Sequence, residues 1–141
     1  MPQFNKLEIA NSFVQAMIEH TRNELPNECC GLLAGRISEG VGIVSTRYAI
    51  RNDAASPKNY LSNARDMLDA FRDMRERGLE LLAIYHSHPT SEPVPSLHDI
   101  EQNTYDESAV HVIVSLAGSQ PEIRAWWLGE TEYREADWRV L

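Results

Sequence analysis

The sequence has no run of lysine or arginine and no long hydrophobic stretch, and each absence excludes a class of partner. The 141 residues carry a formal net charge of -8. We expect no nucleic-acid partner, because phosphate binding requires a basic face. No apolar stretch approaches the ~20 residues needed to span a bilayer, so we expect no membrane association. The N-terminal segment is polar and lacks the apolar core of a signal peptide, which predicts a cytoplasmic protein.

Cysteine is also scarce, since the chain has only Cys29 and Cys30, which are adjacent. Neighbouring residues of a strand point to opposite faces, so these thiols are poorly placed to bond each other. A disulfide framework is therefore not expected. We predict that at least one of the two is a small core residue, and Cys29, beside Glu28, is the one that could border an active site.

Length and composition predict an ordinary globular protein. A chain of 141 residues is long enough to bury its own core. Its 43% hydrophobic and 24% charged residues are typical of such proteins. We therefore expect one domain over residues 1–141, without repeats or an interdomain linker, that acts as a monomer or a homodimer.

A first amphipathic helix is predicted from Leu7 to Arg22, where apolar residues recur at helical spacing. Its apolar stripe consists of Ile9, Phe13, Ala16, Met17 and His20. We interpret His20 as a packed residue at the end of this stripe rather than as a ligand. The segment Leu25-Pro26-Asn27 then ends the helix.

A second amphipathic helix is predicted to run to about Arg77, with Ser62 or Asn63 as its N-cap and Gly78 at its C-terminal end. Its apolar stripe consists of Ala64, Met67, Leu68, Phe71 and Met74. The polar segment Arg51–Tyr60 before it has strong turn chemistry and is a candidate substrate-facing loop.

The remaining apolar segments are predicted to be strands. Glu28–Gly35 and Val41–Ile50 lie on either side of a turn signal and should form a hairpin. Leu79–His86 is apolar without alternation, as in a central strand that is buried on both faces. Further strands are predicted at Val110–Leu116 and Glu122–Leu128, with a last short strand near Tyr133 or over Trp138–Leu141.

The most informative stretch follows the predicted central strand. His86 and His88 are two residues apart, so both side chains lie on the same face of a strand. Pro89–Pro95 cannot continue that strand. Ser96 then opens a short helix that should end near Tyr105, and Asp99 lies in its first turn. Two histidines and a carboxylate can bind one zinc ion and leave a fourth position for water, which is typical of a catalytic site.

Two further residues complete this interpretation. Glu28, at the start of the first predicted hairpin strand, is the candidate that takes a proton from the water and returns it to the leaving amine. Ser96 could donate a hydrogen bond to the oxyanion that develops on the attacked carbonyl. Each piece also has a simpler explanation, because His-x-His occurs by chance, Ser-x-x-Asp can be a helix cap, and Glu28 could be exposed. The agreement of ligand types, spacing and predicted elements favours the catalytic interpretation.

These residues resemble the motif of the JAMM (MPN-plus) metallopeptidases. That motif consists of an upstream Glu, then His-x-His-Pro, with seven residues between the second His and a Ser, and then two residues and an Asp. The chain supplies it with Glu28, His86-Ser87-His88-Pro89, Ser96 and Asp99. The segment from Pro26 to Leu33, Tyr85, and Arg124-Ala125-Trp126 also resemble the small prokaryotic branch of this family.

The resemblance implies an α/β (α+β) fold of the JAMM/MPN, cytidine deaminase-like type, with a curved mixed β-sheet flanked by helices. It implies zinc-dependent hydrolysis of peptide or isopeptide bonds after the C-terminal glycine of a ubiquitin-like or sulfur-carrier protein with a Gly-Gly tail. By the same resemblance, His86, His88 and Asp99 bind one Zn²⁺, Glu28 is the general acid/base, and Ser96 stabilises the tetrahedral intermediate. Small prokaryotic members often have Arg-Pro-Ser-Ala-Thr-Asp, where this chain has Leu97 and His98 before Asp99. We interpret His98 as a surface residue near the site and His111 as a structural strand residue.

Alternatives to an active zinc peptidase remain open or are excluded by particular residues. A catalytically silent MPN-type module that binds a ubiquitin-like partner ranks below the enzyme, because such modules usually lack a ligand and this chain lacks none. Iron or manganese could occupy a similar ligand set. A zinc nucleobase deaminase is excluded, since it needs Pro-Cys-x-x-Cys and the two cysteines here are adjacent. One of Trp126 and Trp127 is expected to face outwards from its strand, and we favour a half-covered core position over a partner surface for it.

Overall fold

The computed structural model describes residues 3–104 and 108–141, and its architecture is α+β. Within these ranges the helices are α1 (Asn11–Glu24), α2 (Ala64–Arg77) and α3 (Leu97–Glu101). The strands are β1 (Lys6–Ile9), β2 (Cys30–Ser38), β3 (Val41–Ile50), β4 (Glu80–His88), β5 (Val110–Ser115), β6 (Glu122–Leu128), β7 (Tyr133–Glu135) and β8 (Asp137–Val140). No helix in these ranges is both long and apolar enough to cross a membrane.

The strands form one mixed sheet in the order β7-β6-β5-β4-β2-β3-β1-β8. β1 is parallel to β3 and β8, and β4 is parallel to β5, whereas the other pairs are antiparallel. The edge strands β7 and β8 are separated in the chain by Ala136 alone, so the two edges of the sheet must approach each other. The sheet therefore curls into a nearly closed barrel, and the ring of Phe4 lies 5.3 Å from that of Trp127. The predicted curved mixed sheet flanked by helices is confirmed.

The predicted first helix begins too early. Residues 7–9 belong to β1, and α1 starts only at Asn11. Leu7 and Ile9 are fully buried while their neighbours Lys6 and Glu8 are half-buried, which is the alternation of a strand. β1 lies between β3 and β8, and the two ladders of backbone hydrogen bonds keep these residues in the sheet. Ile9 and Phe13 are four residues apart, which is also the spacing along one face of a helix. The sequence pattern therefore predicts one helix where the structure has a strand followed by a helix.

The caps of α2 agree with the sequence, but its predicted apolar stripe is only half right. The Asn63 side chain accepts a hydrogen bond from the Asp66 amide at 2.9 Å, and Gly78 has the left-handed φ of 66° that favours glycine. Ala70 and Met74 are buried and Met67 is half-buried, facing the sheet. Three residues of the predicted stripe are instead exposed: Ala64, Leu68 and Phe71. The helix contacts the sheet mainly at β3 and β4, so only a narrow face of it is covered.

Both faces of the sheet are covered at Trp126 and Trp127 of β6, which corrects the expectation that one of them faces outwards. Trp127 is 2% exposed and lies in the main core, to which α1 also contributes. Trp126 points to the opposite face and is 5% exposed. There its Nε1 donates a hydrogen bond to the carbonyl of Pro93 in the proline-rich loop at 2.8 Å. Trp138 is partly buried against the main core.

The other predicted elements are observed with small shifts of their ends. β2 starts at Cys30 and continues to Ser38, and β4 extends to His88, two residues further than predicted. Glu39 and Gly40 join β2 to β3 with φ values of 52° and 78°, as a two-residue hairpin turn requires. The chain ends in two short strands, β7 and β8, rather than one. α3 ends at Glu101, and the predicted end near Tyr105 lies outside the described residues.

Candidate metal centre and active site

Strand β4 delivers two histidines to the face of the sheet that α2 covers. Cys30 and Ile84 on this face belong to the core beneath α2, and His86 pairs with Cys30 across the ladder. The imidazoles of His86 and His88 project on the same side because they are two residues apart in an extended strand. Both are buried, and their Nε2 atoms lie 3.2 Å apart. The period-two prediction for these residues is therefore observed.

Helix α3 brings the third side chain into this cluster. Ser96 and Asp99 form a reciprocal capping box at the start of α3. The Ser96 Oγ accepts a hydrogen bond from the Asp99 amide at 3.1 Å, and Asp99 Oδ2 accepts one from the Ser96 amide at 2.9 Å. This box turns the Asp99 carboxylate towards the histidines, and its Oδ2 lies 3.2 Å from the Nε2 atoms of both His86 and His88.

The three ligand atoms form a triangle with sides of 3.2 Å, which fits a tetrahedral metal ion. An ion with tetrahedral ligands at ~2.0–2.1 Å separates neighbouring ligand atoms by ~3.3–3.4 Å. His86, His88 and Asp99 are all buried, and each offers one ligand atom within the same small volume. The donor set of two imidazoles and one carboxylate is that of open, catalytic zinc sites. The geometry therefore fits a bound divalent cation with a fourth position available.

The two imidazoles are oriented by different neighbours. His88 Nδ1 lies 2.7 Å from the carbonyl of Glu92, which leaves Nε2 to point at the cluster. The ring of Tyr60 stacks on the ring of His86, with centroids 4.8 Å apart. His86 Nδ1 is buried and has no hydrogen-bond partner among the described residues. The proline-rich loop thus orients the ring of His88, and the segment before α2 orients the ring of His86.

Electrostatics in the cluster also favour a cation. Burial raises the pKa of Asp99, but the adjacent His86 and His88 and the Ser96 amide outweigh it and hold this pKa well below its usual range. Burial lowers the pKa of His88, yet its hydrogen bonds to Asp99 and to the Glu92 carbonyl outweigh burial and raise it. Asp99 is therefore a carboxylate that needs positive charge beside it.

Glu28 lies two residues before β2, the strand that pairs with β4. It is only 4% exposed, and its Oε1 has no hydrogen-bond partner among the described residues. Burial raises its pKa to about 8, the positive charge of His88 opposes this, and the negative charge of Asp99 adds to it. Glu28 is buried, and its neighbour Cys29 bonds to Ser87 between the two histidines, so the alternative of an exposed Glu28 is wrong. A carboxyl group with a pKa near neutrality is suited to accept and return a proton.

A groove of about 460 Å³ is lined by Tyr60, whose ring stacks on the ring of His86. The groove continues between α2 and the segment after α3, with Met67 on one wall and Ile84 and His111 on its floor.

The remaining candidates have structural surroundings. His20 Nδ1 lies 2.7 Å from the Tyr85 hydroxyl, as expected of a packed residue. His111 is buried in β5, its Nε2 lies 3.1 Å from Asn103 Oδ1, and burial lowers its pKa to about 3. His98 is half-buried in α3 and lies outside the three-ligand cluster.

The two cysteines are free and buried, as expected for adjacent thiols. Cys30 belongs to the core beneath α2. The Cys29 Sγ lies 3.5 Å from the Thr21 hydroxyl, and burial raises the pKa of this thiol. Neither thiol belongs to the three-ligand cluster.

Comparison with known proteins gives a consistent result. Residues 10–129 match the family described as prokaryotic homologs of the JAB domain. Over 109 residues, 77% of this chain and 73% of the relative, the sequence is 34% identical to a CysO-cysteine peptidase of Mycobacterium tuberculosis. Over 136 residues, 93% of this chain and 94% of the relative, it is 29% identical to a desampylase of Haloferax volcanii. A solution structure from Desulfitobacterium hafniense has a TM-score of 0.86 at 30% identity, covering 96% of this chain and 92% of that one.

Proposed function

The chain belongs to the family of prokaryotic JAB-domain homologs, and on that premise we propose that it is a zinc peptidase acting on the tails of ubiquitin-like or sulfur-carrier proteins. The membership confirms the resemblance to the small prokaryotic JAMM proteins. The bond cleaved is the peptide or isopeptide bond after the C-terminal glycine of the carrier. The relatives named a CysO-cysteine peptidase and a desampylase support this substrate class. We also propose that residues 1–141 form one such domain, and the cytoplasmic location stays a prediction.

The single observation that carries the proposal is the 3.2 Å triangle of His86, His88 and Asp99 beside the buried Glu28. In the proposed mechanism these three residues hold Zn²⁺, which when bound supplies a Lewis acid that activates water and polarises the carbonyl. A structural zinc site would use four protein ligands, whereas the described residues supply three to this cluster. A neighbouring acid that lacks a partner at Oε1 is expected of a catalytic site and not of a structural one.

Glu28 carries the proton in this proposal. Its carboxylate accepts a proton from the attacking water and then donates that proton to the nitrogen of the leaving amine. The buried surroundings raise its pKa towards neutrality, so both directions of transfer are accessible near pH 7. A bound cation would lower this pKa again, which favours the carboxylate at the start of the reaction.

Ser96 is proposed to donate a hydrogen bond to the oxyanion of the tetrahedral intermediate. Its Oγ accepts from the Asp99 amide, and that contact uses a lone pair and leaves the hydroxyl hydrogen available. Ser96 is exposed, so a substrate can reach it. The capping interaction and the catalytic role of Ser96 are therefore compatible.

The groove beside His86 is proposed to take the extended C-terminal tail of the carrier. Two small glycines at the end of the tail would allow its backbone to approach the cluster closely. Leu61 lines the groove, and Leu68 and Phe71 are exposed on α2 near it. This apolar surface is one that the folded body of a carrier protein would cover.

The test is hydrolysis of two substrates by the purified protein with zinc added and with zinc removed by a chelator. Both substrates end in the same Gly-Gly tail, one extended by cysteine and the other joined to a lysine side chain. The proposal predicts cleavage after the final glycine that is lost with the chelator and restored by zinc. Binding of both carriers without cleavage by the zinc-loaded protein would instead support the catalytically silent binding module.

A further inference from the structure

The backbone of Glu28 is held in place by hydrogen bonds to a neighbouring loop. The Oε1 atom is buried without a hydrogen-bond partner in the described part of the chain. The peptide groups around it are in contrast fully engaged. The Glu28 amide donates to the carbonyl of Ser56 at 2.8 Å, and the Glu28 carbonyl accepts from Asn52 Nδ2 at 3.0 Å. Both partners belong to the loop that joins β3 to α2.

The next residue is held from the opposite side, by the strand that carries the histidines. The Cys29 amide donates to Ser87 Oγ at 2.8 Å, and the Ser87 amide donates to the Cys29 carbonyl at 3.1 Å. Ser87 is fully buried and lies between His86 and His88 in the chain. The pair Glu28-Cys29 is therefore fixed between this strand and the loop.

Asn52 is the residue that organises the loop side of this arrangement. Its Nδ2 donates to the carbonyls of Glu28 at 3.0 Å and Asn59 at 3.1 Å. Its Oδ1 accepts from the amides of Ala54 at 3.0 Å and Leu61 at 2.9 Å. Two donors and two acceptors use the full capacity that an amide side chain has in such a site. One side chain thus joins both ends of the loop to the backbone of Glu28.

The same loop ends next to the cluster. Tyr60, whose ring stacks on His86, lies between Asn59 and Leu61, and both of these neighbours bond to Asn52 through their backbones. A change in the Asn52 side chain would therefore displace both Glu28 and the Tyr60 ring that stacks on His86. The effect on Glu28 should be larger, because Asn52 bonds directly to its peptide group.

We propose that Asn52 is a positioning residue that sets the place of Glu28 relative to His86, His88 and Asp99. This inference rests on the proposed function, since it assumes that Glu28 transfers the proton. Asn52 acts through the Glu28 backbone and not through substrate. A displacement of about 1 Å in a catalytic group can cost on the order of 100-fold in rate, so a side chain outside the chemistry can have a large effect.

The test variant is Asn52→Asp, which has the same shape, keeps the two acceptor contacts and loses both donors. We expect kcat to fall about 10- to 100-fold and KM to change less than about threefold. The zinc content per chain should stay the same. The matched control is Asn11→Asp, the same change at the exposed start of α1, which keeps the acceptor contact of its Oδ1 with Gln15 and does not bond to Glu28. Its kcat should stay within about twofold of the natural protein.

A double-mutant cycle separates positioning from general destabilisation. Once Glu28→Gln has removed the proton-transferring group, adding Asn52→Asp should cost less than about twofold in the residual rate. A loss of the same size in both backgrounds would overturn the proposal. Asn52→Ala, which introduces no charge, is the second variant. If both Asn52 variants lose zinc and stability in parallel with activity, Asn52 has only a structural role and the proposal is wrong.

Hydrogen exchange supplies a readout that needs no substrate. In Asn52→Asp the Glu28 amide should exchange at least about tenfold faster, while the ladder amides of β4 keep their protection. Unchanged exchange at Glu28 would contradict the positioning role even if the enzyme is active. The natural protein could cleave no carrier while exchange at Glu28 still changes as expected in Asn52→Asp. That result would contradict the proposed function but would support the positioning of Glu28 by Asn52.

Discussion

Residues 85–88 of β4 carry polar side chains on both faces of the sheet. On the face towards α1, the Tyr85 hydroxyl lies 2.7 Å from His20 Nδ1 and accepts a hydrogen bond from Arg47 at 2.9 Å. On the face towards α2, the ligand atoms of His86 and His88 converge with that of Asp99 at 3.2 Å. Both faces are buried and both contain histidine, so burial and residue type do not distinguish them.

The difference lies in how the polar capacity of each group is used. On the α1 face, donors and acceptors of the protein satisfy one another, which stabilises the fold. On the α2 face, three electron-pair donors point at one place, and two buried atoms nearby, Glu28 Oε1 and His86 Nδ1, have no partner among the described residues. Three ligand atoms that converge on one point, beside buried atoms without a partner, indicate a binding site for a cation.

The largest expected effect is the loss of the centre in Asp99→Asn. The amide oxygen can still accept from the Ser96 amide, so α3 keeps its cap while the cluster loses its negative charge. We expect zinc affinity to fall at least about 100-fold and kcat/KM on the order of 1000-fold, because a neutral amide is a much weaker ligand. Zinc titration and a steady-state assay measure the two quantities.

The matched control for Asp99→Asn is Asp69→Asn on the exposed side of α2. Asp69 pairs with Arg65 at 3.3 Å and is 56% exposed, so its loss should change neither zinc affinity nor kcat/KM beyond about twofold. Full zinc affinity in Asp99→Asn would mean that the triangle is not the metal site.

The pH dependence of stability sharpens the comparison, because Glu28 on the α2 face is, among the described residues, the carboxyl group with a strongly raised pKa. The Glu28 pKa rises from 4.5 to about 8 in the metal-free fold, chiefly through burial. Between these pH values the unfolded chain loses the proton and the folded chain keeps it, so stability is full below pH 4.5 and falls as the pH rises towards 8. Removing the group removes this slope.

The measurement is urea unfolding of metal-free natural protein and metal-free Glu28→Gln at pH 5 and pH 8. From pH 5 to pH 8 the natural protein should lose stability that Glu28→Gln keeps. The difference in free energy of unfolding between the two proteins should therefore shift by on the order of 2 kcal/mol in favour of Glu28→Gln, after allowance for water that reaches the site. A difference that is the same at both pH values would show that Glu28 is not buried with a raised pKa.

The smallest expected effect comes from the satisfied face. Tyr85→Phe removes the hydroxyl that His20 and Arg47 contact, and it should lower the free energy of unfolding by about 1–2 kcal/mol. Zinc content and kcat should stay within about twofold, since the ring still packs over Gly31, where a Cβ would lie 2.0 Å from it. Tyr48→Phe, whose hydroxyl bonds to the half-exposed Asp73, is the control and should cost less. Loss of zinc in Tyr85→Phe would show that the two faces are coupled.

Much of the candidate site could be predicted from the sequence, because its signals are local. His86 and His88 are two apart in a strand, and Ser96 and Asp99 have the spacing of a capping box, so short-range geometry fixes where each side chain points. The position of Glu28 is a different case, since the pairing of β2 with β4 places it beside the histidines. The motif resemblance supplied that contact, whereas composition and periodicity did not.

The errors in the fold have a common physical origin in long-range contacts. β1 was missed because four residues become a strand only between β3 and β8, which are distant in sequence. Whether Trp126 and the residues of the α2 stripe are buried or exposed depends on which neighbours pack over them. The hydrogen bond from Asn52 to the Glu28 carbonyl joins residues that are 24 apart in the chain, and its only local signal is an asparagine in a turn-rich loop.

The most direct test of the central claim is mass spectrometry of a Gly-Gly-tailed carrier conjugate after incubation with zinc-loaded natural protein or zinc-loaded Glu28→Gln. The account predicts that the natural protein releases a carrier ending at its final glycine. It predicts that Glu28→Gln, with the same zinc content, is slower by a factor on the order of 100 to 10,000. Equal cleavage by both proteins would contradict the role of Glu28, and no cleavage by the zinc-loaded natural protein would contradict the peptidase itself.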